Sequence, residues 1–144
     1  GIKEILTASE MRAGRMRRGE KVLVIDVIGE LFKVYSLAEI VYCGGSLVPR
    51  GGQNILEPAA WGKVVLYGPS MDDFSSEAAL LEEAGAGVRI RNVSDLQQNI
   101  LKLLDDAQDL RVRGEKGRAV VLANRGAAGR YAEMIRRHLE RESG

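Results

Sequence analysis

The sequence predicts an α/β fold: a parallel sheet flanked by helices on both faces. Three observations carry this. Apolar strand-like runs alternate with helical patterns four times, the signature of parallel strands joined through helices. The runs inside Lys21–Asp26, Ile40–Cys43 and Val64–Tyr67 are continuously apolar, as strands covered on both faces require. Each of the three is followed by a loop that holds glycine, on the edge where such sheets hold ligands.

Taken in order, residues 1–20 read as basic and poorly structured, or as a partial element, with Arg12, Arg15, Arg17 and Arg18 close together. The Lys21–Asp26 strand is followed by a helix opening at Gly29-Glu30, with Leu31, Val34, Tyr35 and Ala38 on one stripe. The Ile40–Cys43 strand leads into a glycine-rich loop. A short helix then runs from Leu56 to Trp61 and stops at Gly62. Val64–Tyr67 is broken by Gly68-Pro69. A helix over 75–84 ends at Gly85, and Gly87–Arg91 alternates like an edge strand. Ser94-Asp95-Leu96-Gln97 reads as a capping box that opens a helix with Leu96, Ile100, Leu103 and Leu104 on one face. Asp109 reads as the cap of the next helix, which reaches about Ala123. A last helix carries Tyr131, Met134, Ile135, His138 and Leu139 on one stripe.

A chain of 144 residues suits one domain spanning 1–144. Hydrophobic residues at 45% and charged residues at 28% are ordinary globular values. A net charge of +1 and only 5% aromatics argue against a nucleic-acid partner. Charge is nonetheless segregated: residues 110–144 carry nine bases against four acids, and residues 72–109 nine acids against three bases. Solvated helix faces explain this most simply; a basic surface meeting an anionic partner is the sharper reading. The single cysteine rules out an internal disulfide, and Cys43 reads as a small core residue of a reducing compartment. No apolar run approaches the ~18 residues of a membrane span. The sole histidine, His138, sits on an apolar stripe and reads as packed, so no metal site, no cofactor and no Ser–His–Asp arrangement is expected.

The chemistry concentrates in Gly44-Gly45-Ser46-Leu47-Val48-Pro49-Arg50-Gly51-Gly52-Gln53-Asn54-Ile55-Leu56-Glu57-Pro58. A strand, a glycine-rich loop and a helix start together make an anion site, because glycine lets backbone N–H groups approach a ligand. No Gly-Lys-Ser/Thr follows, and no G-x-G-x-x-G is present. Glu57 either complements the helix dipole, worth about 0.3–1 kcal/mol, or accepts two hydrogen bonds from the vicinal hydroxyls of a ribose. Arg50 is either solvated or pairs with a phosphate through its planar fork. Gln53 and Asn54 shape turns or offer amides to a ligand. Ser46 caps a turn or donates to an oxygen. Gly29 and Glu30 either start a helix or face the ligand.

The stretch GGSLVPRGGQNILEPAAWGK, with DVIGEL upstream and YGPSMDDF downstream, closely resembles the 3-deoxy-D-manno-octulosonic acid (Kdo) transferases of Gram-negative bacteria. The resemblance runs from about Val22 to Arg125. It implies a Rossmann-like domain, the C-terminal half of a GT-B glycosyltransferase, which binds the donor CMP-Kdo without a metal. The family transfers Kdo to a lipid A precursor at the cytoplasmic face of the inner membrane. The resemblance implies that Gly45, Ser46, Arg50, Gly51, Gly52, Gln53 and Asn54 line the donor site, that Glu57 holds the ribose, and that Gly29 and Glu30 lie near the cytidine or its phosphate. Where the family commonly has His, this chain has Gln53, which cannot titrate, so a binding role is expected there and proton transfer is not.

The chain starts at Gly1 and is much shorter than that family. It is therefore expected to be a C-terminal piece, with no catalytic residue of its own and inactive alone. The acceptor groove, the general base and the contact with the inner membrane surface would lie in a first domain. Two alternatives stand beside this reading: another GT-B transferase using a UDP-sugar, and a non-catalytic α/β module that binds a protein through the same rim.

Overall fold

The computed structural model describes residues 5–13 and 22–125. The chain divides into two compact units, Gly1–Ala38 and Glu39–Gly144. The expected last helix, with His138, lies outside the described residues, as do Arg15, Arg17 and Arg18.

In the first unit, β1 (Ile5–Thr7) leads directly into α1 (Ala8–Arg12). Of the two readings of the first residues, poorly structured or a partial element, residues 5–13 fit the second. Thr7 is the reason for the turn into helix: its Oγ1 accepts from the Glu10 backbone N–H at 3.2 Å, and the Glu10 carboxylate accepts from the Thr7 N–H at 3.1 Å, a reciprocal capping box. The strand β2 (Val22–Val24) pairs with β1 in parallel, Ile5 opposite Val22 and Thr7 opposite Val24. Its side chains are not doubly covered as expected: Val22, Leu23 and Val24 are 39%, 45% and 42% exposed. Within this unit the described helices are only five and four residues long, too short to roof both faces of a ladder. The helix expected over 29–38 divides into α2 (Leu31–Val34) and a 3₁₀ turn, Tyr35–Leu37. There the Ser36 hydroxyl donates to the Lys33 carbonyl at 2.7 Å, a local bond that competes with continued α-helix.

The second unit is a three-stranded parallel sheet in the order β3 (Ile40–Tyr42), β4 (Val64–Tyr67), β5 (Gly87–Arg89). All four residues of the central strand β4 are fully buried. Its alternation divides the core into two layers. Val65 and Tyr67 pack with Ile55, Ala59, Ala78 and Leu81, from α3 (Leu56–Ala60), its lead-in and α4 (Ser75–Glu83). Val64 and Leu66 pack with Ile90, Leu103 and Leu110, from β5's exit, α5 (Val93–Asp105) and α6 (Ala107–Asn124). Helices therefore cover both faces, as the apolar runs require. Each fully buried Val or Leu of β4 contributes about 1.5–3 kcal/mol.

The helix α6 lies close against the turn after α3. A Cβ on Gly114 would collide with the Gly62 carbonyl, and one on Gly117 would sit 3.0 Å from the Ala86 Cβ. Two mid-helix glycines cost about 1 kcal/mol each in helix propensity, and the close approach is what they permit. Both expected caps shift by two or three residues. Asn92, extended at φ −162°, accepts from the Asp95 N–H at 2.9 Å, and Ser94 lies inside α5. Asp106 caps α6 by accepting from the Asp109 N–H at 2.9 Å, while Asp109 itself pairs with Arg113 at 2.7 Å. Among the described residues no helix is long and apolar enough to cross a membrane.

Candidate functional site

Two loops leave the carboxyl ends of β3 and β4 side by side, and the candidate site is built from the first, fastened to the second. Strand β3 leads into Cys43, 5% exposed, and the chain then turns through residues 44–55. Three glycines in this stretch, Gly45, Gly51 and Gly52, adopt φ of +76°, +74° and +80°, the left-handed region that other residues rarely enter.

Ser46 is fully buried. Its hydroxyl donates to the Cys43 carbonyl at 2.6 Å and accepts from the Gly68 N–H at 2.8 Å. The Ser46 carbonyl accepts from the Ser70 N–H at 2.9 Å. Further along, the Gly51 N–H donates to the Ser70 hydroxyl at 3.0 Å, and the Gly51 carbonyl accepts from the Asp73 N–H at 3.4 Å. The two loops touch so closely that Gly68 has no space for a side chain against the Ser46 carbonyl. A Cβ on Gly51 would collide with the Asp73 carboxylate, and one on Gly52 would lie 2.5 Å from the Met71 sulfur.

Cys43 does more than fill the core. Its sulfur accepts from the Gln53 N–H at 3.2 Å, drawing the end of the loop back to its beginning. Burial pushes the thiol's pKa up, so it stays neutral. The second loop is fastened from below. Arg89 reaches the Pro69 carbonyl at 3.3 Å, lies over the Tyr67 ring at 5.6 Å and donates to Glu82 at 2.9 Å. Burial first, and then the Glu82 charge, push the Tyr67 phenol well above its usual range, so it keeps its one proton, which Glu82 Oε1 at 3.0 Å and the Ala78 carbonyl at 3.1 Å share.

With Ser46 and Cys43 committed internally, the groups left at the surface are Arg50, Gln53 and Asn54, with Glu57 half-buried. Among the described residues the Arg50 guanidinium makes no hydrogen bond or ion pair; only its backbone N–H is engaged, with Val48. Asn54 accepts from the Leu56 N–H at 3.0 Å and donates to Glu57 Oε1 at 3.3 Å. An unengaged cation, two side-chain amides and an oriented carboxylate on one loop suit a ligand with both an anionic group and vicinal hydroxyls. Helix α3 has only five residues, so its dipole contributes less than the sequence pattern suggests; Pro58 takes its third position.

Gly29 and Glu30 belong to the first unit. Gly29 has φ +88°, with open space where a Cβ would lie. The Glu30 carboxylate accepts from Arg12 at 2.6 Å. Asp26, just upstream, accepts from the Ser9 N–H and hydroxyl at 2.9 and 2.5 Å, bonds that hold its pKa below the usual carboxylate range. Among the described residues no three His, Cys, Asp or Glu side chains converge as a metal site would need.

This parallel α/β arrangement, with its loop at the strand ends, is the fold of the C-terminal half of a GT-B glycosyltransferase. The solved structure of the C-terminal CMP-Kdo binding domain of WaaA from Acinetobacter baumannii superposes with a TM-score of 0.71 at 23% identity, over 81% of this chain and 60% of that one. The chain is a sequence homologue of the 3-deoxy-D-manno-octulosonic acid transferases. It is 33% identical to the one from Aquifex aeolicus over 118 residues, and 32% identical to the one from Haemophilus influenzae over 122. Those matches cover 82% and 84% of this chain but only 31% and 29% of the relatives. No protein-family model matches the chain.

Proposed function

We propose that the 44–57 loop holds the nucleotide end of CMP-Kdo, and that the chain is the donor-binding part of a transferase that moves Kdo onto a lipid A precursor at the cytoplasmic face of the inner membrane. The observation that carries the reading is the stapled loop itself, which leaves Arg50, Gln53, Asn54 and Glu57 at its surface in a chain homologous to Kdo transferases. In this reading Glu57 accepts the ribose hydroxyls, Arg50 faces the phosphate or the sugar carboxylate, and the left-handed glycines bring N–H groups close to the donor. Ser46 shapes the loop from within. Gly29 and Glu30 are proposed to lie near the cytidine or its phosphate.

The chemistry needs more than the donor. The acceptor and the proton acceptor come from the remainder of the full-length protein, and the two substrates react only when both are aligned. Substituting Glu57→Ala in the full-length transferase tests the assignment. Two charge-assisted hydrogen bonds are lost, so donor kcat/KM should fall by roughly a hundredfold or more. Unchanged donor kinetics would remove Glu57 from the ribose site.

A further inference from the structure

Ser46 and Ser70 share one arrangement that the sequence motif does not announce. In each, the hydroxyl proton is committed in one direction, so the oxygen accepts from the other. The Ser46 hydroxyl donates to the Cys43 carbonyl and accepts from the Gly68 N–H. The Ser70 hydroxyl donates to Asp72 Oδ2 at 3.2 Å and accepts from the Gly51 N–H at 3.0 Å. Between them the Ser70 N–H donates to the Ser46 carbonyl. The bonds alternate between the loops and cross where neither can carry another Cβ, at Gly68 on one side and Gly51 and Gly52 on the other.

We propose that Ser70, its hydroxyl oriented by Asp72, is a positioning residue that fixes the left-handed Gly51-Gly52 corner and so sets the shape of the donor loop. The proposal deepens the donor reading and rests on it for the ligand; the clamp itself stands on the hydrogen bonds. The role assigned to Ser70 is on the loop rather than on the donor. Ser70 acts by holding the Gly51 N–H, and with it the backbone on which Arg50, Gln53 and Asn54 are mounted. Without the hydroxyl, the corner is free to leave the left-handed region and the exposed groups lose their common frame.

The loop carries its own reporter. Leu47-Val48-Pro49-Arg50-Gly51 is a sequence that thrombin cuts after the arginine when the chain can enter its cleft, and Gly51 is buried in the native fold. Thrombin cleavage at Arg50–Gly51 should be slow in the unaltered chain. Loss of one hydrogen bond should speed it by roughly two- to tenfold in Ser70→Ala. Ser70→Thr, which keeps the hydroxyl, should return toward the original rate. Asp72→Ala, an exposed change that frees the hydroxyl to rotate, should lie between, and it serves as the second variant if Ser70→Ala folds poorly. CMP should slow cleavage of the unaltered chain more than that of Ser70→Ala. Equal rates in the unaltered chain, Ser70→Ala and Asp72→Ala would overturn the clamp, and so would a Thr variant cut as fast as the Ala variant. A chain whose clamp loosens on schedule but whose cleavage ignores CMP would retain the clamp and refute the donor reading.

Discussion

The Asn54 side chain reaches forward to two residues of α3, accepting from the Leu56 N–H at 3.0 Å and donating to Glu57 Oε1 at 3.3 Å. One residue thus secures the start of α3 and orients the carboxylate assigned to the ribose. The two jobs separate chemically. Asn54→Ala should cost about 1 kcal/mol of stability, as loss of a helix-start acceptor does, and should weaken donor binding as well. Asn54→Asp keeps the acceptor but sets a second carboxylate beside Glu57. Its unfolding midpoint should stay near that of the unaltered chain while donor affinity falls. Parallel denaturation and donor titration distinguish the two variants.

The contact between Gly68 and the Ser46 carbonyl sets a second expectation. Gly68→Ala places a methyl group into backbone atoms that cannot yield, so it should destabilise the fold by about 2–3 kcal/mol. Gly85→Ala meets open space and bears only the left-handed penalty of its φ of +72°, about 1–2 kcal/mol. Urea midpoints should rank Gly68→Ala below Gly85→Ala. The reverse order would mean that the two loops are not in contact as described.

Asn92, not Ser94, caps α5. Asn92→Ala should therefore cost about 1 kcal/mol, while Ser94→Ala, inside the first turn and exposed, should change stability by less than about 0.5 kcal/mol.

Two groups shape the pH dependence at opposite ends. Hydrogen bonds from the Arg91 backbone N–H and then its side chain lower the Asp95 pKa. A depressed carboxylate contributes stability above its unfolded pKa of about 3.9, and that stability is lost as pH falls through the folded value. Asp95→Asn should flatten the acid arm of a stability–pH curve. Cys43 has the opposite sign. Its folded pKa is raised by burial, so stability is intact below the unfolded thiol value of about 8.5 and declines as pH rises toward the folded one. Cys43→Ala should remove the part of that decline that falls between about pH 8 and 9, before unfolded tyrosine ionises appreciably near its value of about 10.

Much of the second unit is legible in the sequence because its signals are local. Val64–Tyr67 is apolar at every position and is buried at every position. Gly62 and Gly85 end their helices with φ of +69° and +72°. The candidate loop stands out by its glycines, and the family resemblance matches the homologues found. What the sequence hides is set by tertiary geometry. Ser46 reads as a ligand group or a turn cap, yet both its bonds turn inward to Cys43 and Gly68. Cys43 reads as filler, yet it holds the Gln53 N–H. Ser70 and Asp73 lie on the second loop, and nothing local says that they meet Gly51. In the first unit the apolar run of β2 promises burial, but a two-stranded ladder with short helices does not supply it. The Thr7-Ala8-Ser9-Glu10 capping box is readable in the sequence and marks α1 within the stretch read as poorly structured or a partial element.

The central claim is that the 44–57 loop holds the nucleotide of CMP-Kdo, and a comparison of CMP with UMP by amide chemical-shift mapping on this chain tests it most directly. Saturable shifts should concentrate between Gly45 and Glu57, be larger with CMP than with UMP and be abolished in Glu57→Ala. A loop whose amides stay unmoved at millimolar CMP, or that responds more strongly to UMP, would contradict it.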